Sequence, residues 1–129
     1  MSNARDIADA GHQLTARVNF NGTLDENSGS LTAGENVLIR ASYNVSSVYY
    51  NGTGDYTVNF ATAMPDANYS VVAMGKSATS SYGQSWTTNV HQSYNPTSQS
   101  VRVVNSFQDD NDNSVSYVDS AWMFVVVFR

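Results

Sequence analysis

Between Leu14 and Phe20 every second residue is apolar: Leu14, Ala16, Val18 and Phe20 alternate with Thr15, Arg17 and Asn19. A helix, with 3.6 residues per turn, cannot keep such a set on one face, whereas a strand does so by geometry. The same period returns in Val37, Ile39, Ala41 and Tyr43, set against Arg40 and Ser42. It returns again in Tyr56, Val58 and Phe60, set against Thr57 and Asn59. Ahead of that third set, Asn51-Gly52-Thr53-Gly54-Asp55 supplies residues that tolerate positive φ, so residues 45–60 are predicted to form a β-hairpin. Further strands are predicted at residues 69–74, 84–91, 101–107, 115–118 and 121–128, separated by turn signals such as Asn95-Pro96 and the polar tip 108–113. Residues 25–34 are polar and read as a long loop.

The expectation is an all-β domain, an antiparallel β-sandwich or barrel of about eight strands. The one helical candidate is residues 3–10, capped by Ser2 or Asn3 and stopped by Gly11. Residues 1–13 are therefore set apart as a short helix or attachment segment, with residues 14–129 as the β-domain. A chain of 129 residues is one domain's worth. Composition supports the strand reading: 18 Ser, 14 Asn and 10 Thr compete with a helical backbone, and only 13% of residues are charged. Hydroxyls and amides, more than Lys and Glu, must solvate this surface.

A net charge of −5 with six Lys and Arg argues against nucleic-acid or anionic-membrane binding. The first residues lack the basic and apolar regions of a signal peptide, and no apolar run approaches membrane-spanning length. Synthesis in a cytoplasm without membrane insertion is the expectation. With no cysteine, disulfides, thiolate metal sites and a Cys nucleophile are excluded.

Residues 108–113, Gln-Asp-Asp-Asn-Asp-Asn, place hard oxygen ligands at alternate positions, as calcium requires. No glycine follows at the sharp turn and no Glu closes the set, so a solvated hairpin tip is the preferred reading. His12 and His91 have no metal-ligand spacing, and Ser85 and Ser93 sit in no nucleophile elbow. Gly52-x-Gly54 lacks the third glycine and following helix of a phosphate loop. No catalytic residue, metal ligand or cofactor is assigned.

Two aromatic features remain. Eight Tyr and two Trp exceed what an apolar core needs. Tyr43, Tyr56 and Tyr69 are in register with core faces, whereas Tyr82, Trp86 and Tyr94 lie near turns and are candidate receptor or glycan contacts. The run Ala121-Trp122-Met123-Phe124-Val125-Val126-Val127-Phe128 is apolar on both strand faces. One face of an antiparallel strand is usually wet. One set, Trp122, Phe124, Val126 and Phe128 or its alternate, is therefore expected to fill the core and the other to meet a second subunit or sheet. Trp122, Phe124, Val126 and Phe128 are the candidate core or oligomer-interface residues.

The block Ile39-Arg40-Ala41-Ser42-Tyr43-Asn44-Val45-Ser46-Ser47-Val48, with Asn51-Gly52-Thr53-Gly54-Asp55-Tyr56-Thr57-Val58-Asn59-Phe60 and Ala63-Met64-Pro65-Asp66-Ala67-Asn68-Tyr69, resembles a module of tailed-bacteriophage fibre proteins of marine and cyanobacterial phages. Ser2-Asn3-Ala4-Arg5-Asp6-Ile7-Ala8-Asp9, Arg17-Val18-Asn19-Phe20-Asn21-Gly22-Thr23 and the ending Val127-Phe128-Arg129 fit the same pattern. The resemblance implies a non-enzymatic virion structural protein: a homotrimeric fibre or knob component that contacts other virion proteins and a host surface glycan or receptor. A head fibre or capsid decoration protein is the alternative within the particle. A free carbohydrate-binding β-sandwich is the alternative outside it.

Overall fold

The computed structural model describes residues 14–76 and 85–129. The helix expected at residues 3–10, the segment 1–13 and Tyr82 lie outside these residues. Among the described residues the chain forms nine strands: β1 (Leu14–Asp25), β2 (Val37–Tyr43), β3 (Val45–Gly52), β4 (Asp55–Phe60), β5 (Ser70–Gly75), β6 (Ser85–Val90), β7 (Ser100–Gln108), β8 (Val115–Tyr117) and β9 (Met123–Phe128). They build two antiparallel sheets: a first in the order β2-β1-β9-β5, and a second in the order β3-β4-β7-β6 with β8 added to β7. The all-β sandwich-like expectation holds, and the nine strands fall on the nine segments marked by alternation and turn signals.

Alternation explains the core. Ala16, Val18 and Phe20 from β1 and Met123, Val125 and Val127 from β9 point between the sheets. Val48 and Tyr50 of β3, Tyr56, Val58 and Phe60 of β4, and Val101 and Val103 of β7 meet them from the second sheet. Each fully buried Val or Phe contributes roughly 1.5–3 kcal/mol relative to exposure. Edge-to-face rings join the layers: Phe20 to Tyr56 at 5.1 Å between centroids, and Phe60 to Tyr69 at 5.6 Å.

The change of sheet between β2 and β3 takes one residue. Asn44 has φ of 52°, a left-handed conformation that Asn tolerates better than other residues with a Cβ. Its amide nitrogen donates to the Thr15 and Thr62 carbonyls, each at 3.0 Å, and its Oδ1 accepts the Thr62 N–H at 2.6 Å. One side chain thus ties β1 to the segment that follows β4.

A second clamp forms around Asp119. Its Oδ1 accepts the Gly54 N–H at 2.7 Å and the Tyr56 hydroxyl at 3.1 Å, while Oδ2 accepts the Tyr50 hydroxyl at 2.9 Å. Gly54, with φ of 65°, fits between Asn105 and Val118 only because it has no Cβ.

In β2 the alternation breaks. Asn19 pairs with Ala41 but Phe20 pairs with Ile39, which leaves Arg40 as an extra residue in a β-bulge. Val37 and Ile39 therefore turn inward, whereas Ala41 and Tyr43 turn outward. Tyr43, expected in the core, is 56% exposed.

Candidate assembly face

Of the two sets on β9, the core takes Met123, Val125 and Val127. Trp122, Phe124, Val126 and Phe128 lie on the outer face of the first sheet, so of the two readings given for them, core or oligomer interface, core does not apply. Strand order explains this. Strand β9 sits between β1 and β5, and its inward side faces the second sheet. The larger aromatics are left on the side that no element of the described chain covers.

Cross-strand register spreads the apolar surface over β2, β9 and β5, with β1 contributing the outward Arg17 and Asn19 between them. Val126 stands opposite Arg17 and Val72, and Arg17 stands opposite Tyr43. In the next outward row, Phe124 stands opposite Asn19 and Met74. Tyr43, Val72, Met74, Trp122 and Phe128 are between 41% and 62% exposed, and Phe124 and Val126 are half-buried. With aromatics of 150–250 Å² contributing, the exposed apolar area is on the order of 500 Å², near the upper end for a monomer's largest patch. Sequence reading missed Val72 and Met74 although Val71-Val72-Ala73-Met74 is apolar on both strand faces, a signal that was weighed only in residues 121–128.

Arg40 fixes one end of this face. The bulge directs its side chain outward, where Nη1 donates to the Phe20 carbonyl at 3.0 Å and to Asn19 Oδ1 at 3.3 Å. Nη2 donates to the Ala121 carbonyl at 2.6 Å. The guanidinium lies over the Trp122 ring, and Trp122 stacks on Phe124 at 6.3 Å and 24°. A planar cation and two aromatic rings form one ladder.

The second sheet carries a charge pair and an aromatic shelf on its outer side. Arg102 makes a two-pronged pair with Asp55, with Nε to Oδ1 at 2.8 Å and Nη2 to Oδ2 at 2.7 Å. These bonds raise the guanidinium's pKa above its ordinary value. Arg102 also lies over Tyr94, 3.9 Å from the ring centre. His91 stands between Tyr94 and Tyr117, with centroids 4.8 and 6.4 Å away, and its Nε2 is 3.7 Å from Asp55 Oδ2. Its Nδ1 accepts the Ser93 backbone N–H, so Ser93 reaches the imidazole through its backbone and not its hydroxyl. Tyr94 is thus placed in an aromatic shelf on a charge pair. Trp86 is elsewhere, half-buried and stacked on Phe107 at 5.7 Å across β6 and β7. The structure does not bring Trp86 and Tyr94 into one cluster.

Both acidic loops spend carboxylates on their own turns. In the tip of residues 108–113, Asp109 Oδ1 accepts the Asn111 N–H and Asp112 Oδ1 accepts the Ser114 N–H, each at 2.9 Å. Hydrogen bonding to Ser114 holds the Asp112 carboxyl below its usual range. Between β1 and β2, an open cleft of about 280 Å³ is lined by Asp25, Glu26, Asn27, Gly34, Glu35 and Asn36. There Asp25 caps the Asn27 and Gly29 N–H groups, and Glu35 caps that of Thr32. Among the described residues no three His, Cys, Asp or Glu are grouped to hold a metal ion.

No protein-family model, curated protein or solved structure matches this chain.

Proposed function

We propose that this chain is a bacteriophage virion structural protein that assembles as a homotrimer through the outer face of its first sheet. In this reading it is a fibre or knob component, made in the host cytoplasm and carried on the particle. It contributes to host attachment and acts by assembly and contact, without catalysis. The observation that supports it best is the uncovered surface of Tyr43, Val72, Met74, Trp122, Phe124, Val126 and Phe128. Among the described residues nothing covers this face, and contiguous apolar patches of this size are often interaction sites. The resemblance of residues 39–69 to fibre modules supplies the setting. Capsid decoration is the alternative in that setting, since it needs the same kind of face.

A second reading, a free carbohydrate-binding β-sandwich, is favoured by the Tyr94–His91–Tyr117 shelf on the opposite sheet. Light scattering and electron microscopy test the first reading. A trimer in solution, and density for the chain on purified particles, are the expected results. A stable monomer that binds saccharides would overturn it in favour of the second.

A further inference from the structure

The apolar face carries charge of one sign. Strands β2, β5 and β9 contain no Asp or Glu, and in β1 the one acidic residue is Asp25 at its far end. Arg17 lies in mid-face, exposed between Tyr43 and Val126, and Arg40 stacks on Trp122. Arg129 borders the face but is neutralised by Asp66, to which it donates at 2.9 and 2.7 Å. The whole chain has a net charge of −5, and exposed carboxylates stand away from this face at Glu26 and Glu35 between β1 and β2 and at Asp110 and Asp112 between β7 and β8.

We infer that this face docks on an acidic surface of a second copy of the chain and not on the same face of that copy. The inference rests on the assembly reading above. Face-to-face pairing about a two-fold axis would place Arg17 and Arg40 of both copies in one dry layer, where like charges repel most strongly. Docking on a different, acidic surface pairs those guanidinium groups with carboxylates. It also makes the contact head-to-tail, the geometry from which closed rings such as trimers are built. The apolar rows supply contact area, and the two arginines supply direction and partner choice.

Salt gives the two arrangements opposite signs. Raising NaCl from about 0.1 M to about 1 M shortens the screening length from about 10 Å to about 3 Å. Attraction between a cationic face and an acidic surface is then weakened, whereas repulsion between two cationic faces is relieved. The measurement is the self-association constant of the full chain by sedimentation or light scattering across that range, for the wild type and for Arg17→Gln. Arg17→Gln removes a charge from an exposed position, and its melting temperature verifies folding. The expected result is a dissociation constant that rises about tenfold with salt and, at low salt, about tenfold with Arg17→Gln. Association that is unchanged or tightened by salt overturns the inference while leaving assembly intact, and the wild-type series alone decides this if the variant misfolds. A monomer at every salt concentration overturns both the inference and the assembly reading.

Discussion

The Arg40 guanidinium lies 3.7 Å from the centre of the Trp122 ring, across a boundary that joins the β2 bulge to the start of β9. The same group donates to the Phe20 and Ala121 carbonyls and to Asn19 Oδ1, so one side chain satisfies acceptors on two segments while pinning an aromatic ring. A lysine carries the charge but lacks the planar fork.

Arg40→Lys is therefore expected to destabilise the fold by about 1–2 kcal/mol, since lost hydrogen bonds each count for roughly 1 kcal/mol. Urea unfolding of the two proteins, followed by Trp fluorescence, checks this. Equal midpoints would show that the stack adds nothing.

The two sides of β9 predict opposite failures. Val125, 1% exposed, lies between the sheets, and Val125→Asp puts an unpaired carboxylate there at a cost of several kcal/mol, enough to prevent folding. Phe124 faces outward. Phe124→Asp should leave a folded, soluble chain that no longer associates. Far-ultraviolet circular dichroism and molar mass on both variants test the pair, and an unfolded Phe124→Asp protein would contradict the face assignment.

At the corner between the sheets, Asn44→Val should cost about 2–4 kcal/mol. It removes three hydrogen bonds and forces a β-branched residue into the left-handed region. Asn44→Gly keeps the conformation and loses only the bonds, so it should fall between Val and the wild type in thermal denaturation.

One carboxyl and three tyrosines make stability depend on pH. Hydrogen bonding to Arg129 lowers the Asp66 carboxyl from 3.8 to about 2. A depressed carboxyl stabilises the fold above its unfolded value, and that contribution disappears as pH falls from near 4 through 2. Asp66→Asn should flatten the acid limb of a stability–pH curve over that interval. Burial raises the Tyr69 hydroxyl from 10.0 to about 12, and Tyr50 and Tyr56 are raised for the same first reason. Folding favours the protonated tyrosines, so stability should be lost as pH climbs from 10 toward 12, with tyrosinate absorbance appearing together with unfolding.

Period-two alternation was enough to place the β1 core residues Ala16, Val18 and Phe20, the β4 residues Tyr56, Val58 and Phe60, and the hairpin between β3 and β4. Each signal is local, because strand geometry and turn chemistry are set by neighbouring residues. Alternation failed at Arg40, where a bulge exchanged the two faces of β2 and sent Tyr43 into solvent. A bulge depends on how one strand meets another, and no pattern within residues 37–43 records it. The Arg102–Asp55 pair and the Asp119 clamp join residues 47 and up to 69 positions apart. The sequence by itself determined that β9 has two apolar faces. Only the tertiary structure decided which face is inside, because that depends on β9 lying between β1 and β5 with the second sheet packed against one side.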